Sequence, residues 1–113
     1  MTAVGMFCRI FLNYKKTHPE IRKAASLIVK SGPNVRNEYY TYYATYCMFQ
    51  MGGKVWEDWN NGFRDPLIAL QEKSGKNRGS WGTGKYSQGG RVYFTAINIM
   101  SLEVYQRYLP AYW

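Results

Sequence analysis

Apolar positions recur mostly every third or fourth residue along this chain, the period of amphipathic helices, and they predict five of them. Residues 2–14 carry Val4, Phe7, Cys8, Phe11 and Tyr14 on one stripe. Thr17-His18-Pro19-Glu20 then reads as a capping box: the Thr17 hydroxyl accepts from an early backbone N–H and Glu20 reaches back. Pro19 suits a first turn, where its missing N–H has no partner to lose. Ile21, Ala24, Ala25 and Ile28 give the second helix a single apolar face, and Gly32-Pro33 ends it. The third helix runs from Glu38 to Met51 and stops at Gly52-Gly53. The fourth spans Val55 to Leu70 and lines up Trp56, Trp59, Phe63, Leu67 and Leu70. Pro66 removes a donor within it and predicts a kink, or a division after Arg64. Val92 to Leu109 is the fifth helix, closed by Pro110.

The helices are of two kinds. The second and fourth are apolar on one side. The first, third and fifth are apolar nearly all round, as with Ala96, Ile97, Ile99, Met100, Leu102 and Val104 in the fifth. An alternation of one-sided and all-round helices is what an outer and an inner layer would write. The third helix also holds Tyr39, Tyr40, Tyr42, Tyr43 and Tyr46, which must point in several directions. Such tyrosines are buried with hydroxyl partners or line a cavity. Thr2-Ala3-Val4 echoes Thr95-Ala96-Ile97, a hint of a repeat of roughly 45 residues, the length of a helical pair.

Composition narrows the picture. A chain of 113 residues builds one small domain, read here as 1–113, and its 18% aromatic content argues against disorder. The net charge of +8 is uneven: +5 over residues 1–34, −1 over 35–70, +4 over 71–91 and zero thereafter. Two basic zones could meet phosphate or anionic lipid, or simply face water. Cys8 and Cys47 both lie in apolar helical patterns with no Cys-x-x-Cys spacing, and read as buried free thiols. That fits a reducing compartment, the cytoplasm or a membrane periphery. No apolar run is long enough to span a bilayer, and no basic-then-apolar leader opens the chain.

Candidate chemistry is sparse. His18 is the single histidine and sits in a cap, a surface position. Glu57 and Asp58 are adjacent, so on a helix they diverge by about 100°. Gly79 to Lys85 matches the Gly-x4-Gly-Lys part of a phosphate-binding loop, but Tyr86 stands where Ser or Thr should hold magnesium, and a helix precedes it instead of a strand. No catalytic set, metal site or cofactor follows from these residues. Between the fourth and fifth helices lies a glycine-rich loop, 72–91. With glycines at 75, 79, 82, 84, 89 and 90 it cannot be a helix.

Gln71 with Gly79-Ser80-Trp81 resembles the Gln-Trp repeat of squalene–hopene cyclases and related terpenoid cyclases. Gly90-Arg91-Val92-Tyr93-x-Thr95-Ala96 resembles the opening of the inner helix that follows it there. Tyr42-Tyr43-Ala44-Thr45, Met51-Gly52-Gly53 and Leu102-Glu103-Val104-Tyr105 are similar to segments of the bacterial prenyltransferase and squalene-oxidase repeat proteins. The resemblance covers most of the chain. It implies an all-α fold, a partial α/α toroid of about five helices in inner and outer layers. It also implies that Gln71 caps an outer helix and stacks on Trp81, with Gly79 completing the structural motif.

What is missing matters equally. The cyclases protonate substrate with Asp-x-Asp-Asp, whereas this chain has only Asp58 and Asp65. The prenyltransferases hold zinc with Asp, Cys and His, a spacing not found here. Five helices do not close a ring. The first expectation is therefore a non-catalytic module of this type, a scaffold or a holder of an apolar isoprenoid-like molecule, with Tyr42, Tyr43, Tyr46 and Tyr93 facing the cavity. The second is a C-terminal piece of a cyclase-like enzyme that needs the rest of its ring. The third is a basic module for a membrane surface or, less in keeping with the charge pattern, nucleic acid. The resemblance further implies partners in a second copy or the remainder of the ring, meeting through Phe7, Phe11 and the last helix.

Overall fold

The computed structural model describes residues 1–82 and 90–107; the sequence-level readings on Gly84, Lys85, Tyr86, Gly89 and Pro110 lie outside them. Six helices follow one another: α1 Thr2–Phe11, α2 Pro19–Ser31, α3 Glu38–Met51, α4 Gly53–Ala69, α5 Gly90–Leu102 and the short α6 Val104–Arg107. Among the described residues there is no strand. The all-α expectation is met, and α3 runs over the residues read from its sequence.

The helix starts follow their caps. At α3 the Asn37 side chain accepts from the Tyr40 N–H at 3.2 Å. At α2 the cap is His18, whose Nδ1 accepts from the Glu20 N–H at 3.2 Å. This corrects the capping-box reading by one residue. Pro19 takes the first helical position, so His18 and not Thr17 has the extended backbone of a cap (ψ 133°). The Glu20 carboxylate instead lies 4.0 Å from Arg9. α2 ends at Gly32 with φ 71°, a conformation that glycine adopts without strain.

α1 departs from its predicted stripe. It stops at Phe11, and Asn13 at φ 65° turns the chain before Tyr14 can join the helix. Ala3 and Met6 are buried and Phe7 and Ile10 pack against the core, while Cys8 and Phe11 are exposed. Two apolar stripes compete on this helix. The one with small Ala3 lets α1 approach α3 closely enough for the Cys47 thiol to reach the Ala3 carbonyl at 3.5 Å.

α4 continues through Pro66 without division. Pro66 sits in the exposed last turn, so the one carbonyl it orphans, at exposed Gly62, can turn to water. Gly62 has its own packing role: a Cβ there would stand 3.3 Å from the Pro33 ring. The α2–α3 connection thus rests directly on the α4 backbone. The fifth predicted helix begins at Gly90 and breaks at Glu103 into α5 and α6; its expected end at Leu109 lies outside the described residues.

α3 is the centre. It packs against all five other helices, and its buried residues run without a gap from Ala44 to Gln50. α1 and α5 lie against it, α2 touches both α1 and α3, and α4 packs against α3. The α1–α3 seam is made of rings: Phe7 stands 5.0 Å from Tyr43 and 4.9 Å from Tyr46, and Phe11 stacks on Tyr46 at 5.7 Å. The α3–α4 seam adds a polar tie, with the Trp59 indole N–H donating to the Thr45 hydroxyl at 2.9 Å where both are buried. α2 is joined to α3 by the Tyr40 hydroxyl donating to the Gly32 carbonyl at 2.9 Å and Thr41 donating to the Asn34 carbonyl at 2.6 Å.

Candidate functional site

Two of the cavities among the described residues lie at the start of α3. The larger, about 490 Å³, is lined by Met1, Ala3, Val4, Asn37, Tyr39, Tyr40 and Tyr93. These residues belong to the first turns of α1, α3 and α5 or immediately precede them. Three helices therefore open on one cleft and turn their positive ends toward it. Its wall is tyrosine and small aliphatic surface, with Asn37 and phenol hydroxyls as the polar points. Burial, and after it Tyr39 and Glu38 nearby, raise the Tyr93 hydroxyl above its usual range. Burial does the same for Tyr40. These phenols stay protonated at neutral pH and can act as hydrogen-bond donors.

Of the four candidate cavity tyrosines, Tyr93 lines this cleft. Tyr46 is buried in the α1 seam against Phe7 and Phe11. Tyr43 is placed between that seam and the cleft, with ring contacts to Phe7, to Tyr42 at 5.1 Å and to Tyr39 at 4.9 Å. Tyr42 is half-buried beside it. Sequence reasoning did not single out Tyr39 and Tyr40 for the cleft. The available signal was their place in the first turn of α3, next to the Asn37 cap.

The second cavity, about 190 Å³, is lined by Val35, Arg36, Glu38, Leu70, Glu72, Trp81 and Gly82. The Gln71 motif builds one side of it. The Gln71 amide donates to the Gly79 carbonyl at 2.8 Å. Glu72 N–H donates to the Ser80 carbonyl at 2.8 Å, and Gly79 N–H to the Glu72 carbonyl at 2.9 Å, so 72–80 closes as a tight loop. Gly79 there has φ 88°, which a side chain would strain.

Trp81 then enters the core, 4% exposed. Its indole N–H donates to the Leu67 carbonyl at 2.9 Å, and its backbone N–H donates to the Thr95 hydroxyl at 3.1 Å. The indole thus caps the C-terminal end of α4 while the backbone holds α5. Gln71, Gly79 and Trp81 come together as one unit, with the capping done by the indole and Gln71 bracing the loop. Arg91 completes it, donating to the Ser80 hydroxyl at 3.0 Å and standing 3.8 Å from Glu72.

Glu38 is the polar group that sequence reasoning passed over. It is 5% exposed, and its Oε2 hydrogen-bonds to nothing among the described residues. Burial raises its carboxyl above the usual range, outweighing a bond from the backbone. In sequence it is an ordinary acidic residue at a helix start, where anions are welcome. Trp81 and Leu70, which share the lining of its cavity, lie more than 30 residues away.

The two thiols also differ. Cys47 is buried and its thiol is pushed far up by burial, whereas Cys8 is exposed, which corrects the reading of two buried thiols. Among the described residues no three His, Cys, Asp or Glu side chains gather as a metal site. No described helix is long and apolar enough to cross a membrane. No family model, curated protein or solved structure matches the chain.

Proposed function

We propose that the chain is a non-catalytic helical-repeat module that holds an apolar, isoprenoid-like molecule in the cleft at the head of α1, α3 and α5. In this reading those three helices are the inner layer of an incomplete α/α toroid, and α2 and α4 belong to the outer layer. The observation that carries it is the cleft itself. Its volume of about 490 Å³ suits a small organic ligand, which pockets of roughly 300–1,000 Å³ accept. Its lining pairs tyrosine faces and aliphatic surface with a few polar points, and so suits an apolar body with one polar end.

The layer assignment draws support from α1 and α5 lying on α3, with α2 seated on both α1 and α3. It also draws on α5, which leaves Val92 (84% exposed) and Ile99 (45% exposed) uncovered, as a helix awaiting a neighbour would.

Farnesol titrated into the full chain, followed by intrinsic fluorescence and by calorimetry, tests the reading. Saturable binding is expected. Tyr93→Ala should weaken it by about tenfold, equivalent to ~1.4 kcal/mol. Absence of saturation, or an unchanged affinity in Tyr93→Ala, rejects the cleft as the site. Farnesol should be recovered unchanged, and a cyclised product would replace this reading with an enzymatic one.

A further inference from the structure

We propose that the Glu38 cavity is a second binding site, separate from the aromatic cleft, which takes a small organic ammonium: one charged N–H donor group on a short apolar chain. Three observations carry this. First, Glu38 Oε2 is enclosed and without a hydrogen-bond partner among the described residues. Buried polar atoms in native folds are paired in the great majority, so an acceptor left open beside a cavity has a donor still to come. Second, the cavity of about 190 Å³ exceeds the space of one water, whose share of liquid volume is ~30 Å³. Third, the lining divides by chemistry. Val35, Leu70 and Trp81 form apolar walls, Glu38 is the buried acceptor, and Glu72 and Arg36 are exposed residues.

The charges select a cation. Glu72 is shared with Arg91, 3.8 Å away, so its charge is partly answered. Arg36 is exposed and can keep its hydration, while its backbone N–H is held by the Asn34 side chain at 3.2 Å. Glu38 is therefore the charge that a ligand in the cavity would meet. A charge-assisted bond to a buried carboxylate is stronger than a neutral one. An alcohol of the same shape fits the walls but brings no charge, and a carboxylate meets repulsion from Glu38. The apolar walls hold a short chain, and the indole of Trp81, fixed by its bond to Leu67, keeps its position as the ligand enters.

The site is built by three segments that meet only in the fold: the α2–α3 connection with the first residue of α3, the end of α4, and the loop closed by Gln71 and Trp81. Occupancy would link those segments. The ligand is thus expected to slow opening of the loop as well as to fill the cavity.

The test uses the full chain and n-butylammonium chloride, with n-butanol and sodium butyrate as matched comparators, followed by backbone and indole amide shifts in NMR. Saturable shifts centred on Glu38, Trp81 and Gly82 are expected with butylammonium. Affinity for n-butanol should be weaker by about tenfold or more, and butyrate should not bind. Glu38→Gln, which keeps the shape, should abolish the butylammonium response while melting no lower than the wild-type chain. Arg36→Gln should preserve or strengthen it. Several outcomes overturn the proposal: no saturation, which would mean a cavity that holds water only; shifts spread over the exposed carboxylates Glu57, Asp58 and Asp65; or equal binding by Glu38→Gln. The comparison of butylammonium with butanol on the wild-type chain decides the matter even if Glu38→Gln fails to fold. A farnesol result at the Tyr93 cleft leaves this test untouched.

Discussion

α3 and α5 are written in the same language and end in different places. Both are apolar nearly all round, yet α3 is packed by every other helix, while α5 is held by α3 and α6 and leaves Val92 and Ile99 in water. The buried face of α5 is Phe94, Ile97, Asn98 and Ser101, a set that contains two polar residues. Ser101 answers its own hydroxyl by donating to the Ile97 carbonyl at 2.9 Å. An all-round apolar pattern therefore states a capacity for burial. Which sides are filled depends on how many partners arrive. For α3 they have all arrived, and for α5 one side is still open.

The largest effect expected from this difference is kinetic. The Cys47 thiol lies at the most enclosed level of α3, and burial disfavours its thiolate, the reactive form. Cys8 is exposed on α1 and serves as the internal reference. A disulfide-exchange reagent should label Cys8 promptly, and Cys47 about a thousandfold more slowly or only when denaturant is added, since its reaction requires opening of the core. Comparable rates would mean that α3 is not the enclosed centre described above.

The next effect separates the two faces of α5. Phe94 is fully buried against the centre, and Phe94→Ala should cost about 3–5 kcal/mol in urea unfolding. Ile99→Ala, on the open side, should change stability by no more than about 0.5 kcal/mol. A large loss at Ile99 would show that the open side is covered in solution. Light scattering of the same two proteins would then identify a second copy as the cover.

A smaller effect concerns the strap that joins α5 to α4. Trp81→Phe keeps most of the ring but removes the N–H that satisfies the Leu67 carbonyl. A loss of about 1–2 kcal/mol is expected, as for one buried acceptor left unpaired. If Trp81→Phe is neutral, the indole bond adds nothing to the strap, and its hold on α5 rests on the Trp81 backbone N–H at Thr95, which Phe keeps.

Much of this was legible from residues near one another in sequence. α3 was read as Glu38 to Met51, stopped by Gly52-Gly53, and α2 lay between Pro19 and Gly32. The buried face of α2 followed from spacing, as did Trp59, Phe63 and Leu67 of α4, whereas Leu70 at its end is exposed. Where a helix offered two apolar stripes, as α1 does, spacing could not choose. The choice was made by the α3 surface, which favours Ala3 and Met6 over Cys8 and Phe11. The division expected after Arg64 is absent for a related reason. The cost of Pro66 depends on whether the orphaned carbonyl is wet, and exposure is a property of the fold.

The Gln71–Gly79–Trp81 set was visible as a motif. The residues it would meet, Leu67 and Thr95, were not, since nothing local marks them. Of the tyrosines lining the cleft, Tyr93 stood among the sequence candidates and Tyr39 and Tyr40 did not. Glu38 could not be foreseen at all, because its walls come from the far end of α4 and from the loop beyond it.

The smallest expected effect lies at that glutamate. Its carboxyl holds its proton more tightly folded than unfolded, burial being the first cause, so its folded pKa stands above the usual 4.5. For a group raised in the folded state, the stabilising contribution is complete below the unfolded pKa and is lost as pH rises through the folded one. Wild-type stability should therefore decline relative to Glu38→Gln as pH climbs from below 4.5 toward neutrality. The difference should then stay level once the folded carboxyl has ionised. The benefit of a negative charge at the start of α3 works the other way and reduces the gap. Paired thermal melts of the two proteins across this range measure the difference directly. A gap that opens with rising pH, and closes again when butylammonium is added to the wild-type chain, would tie the cost of the unpartnered carboxylate to the ligand that answers it. A gap of opposite sign would mean that the helix-end charge prevails and that Glu38 is stabilising as it stands.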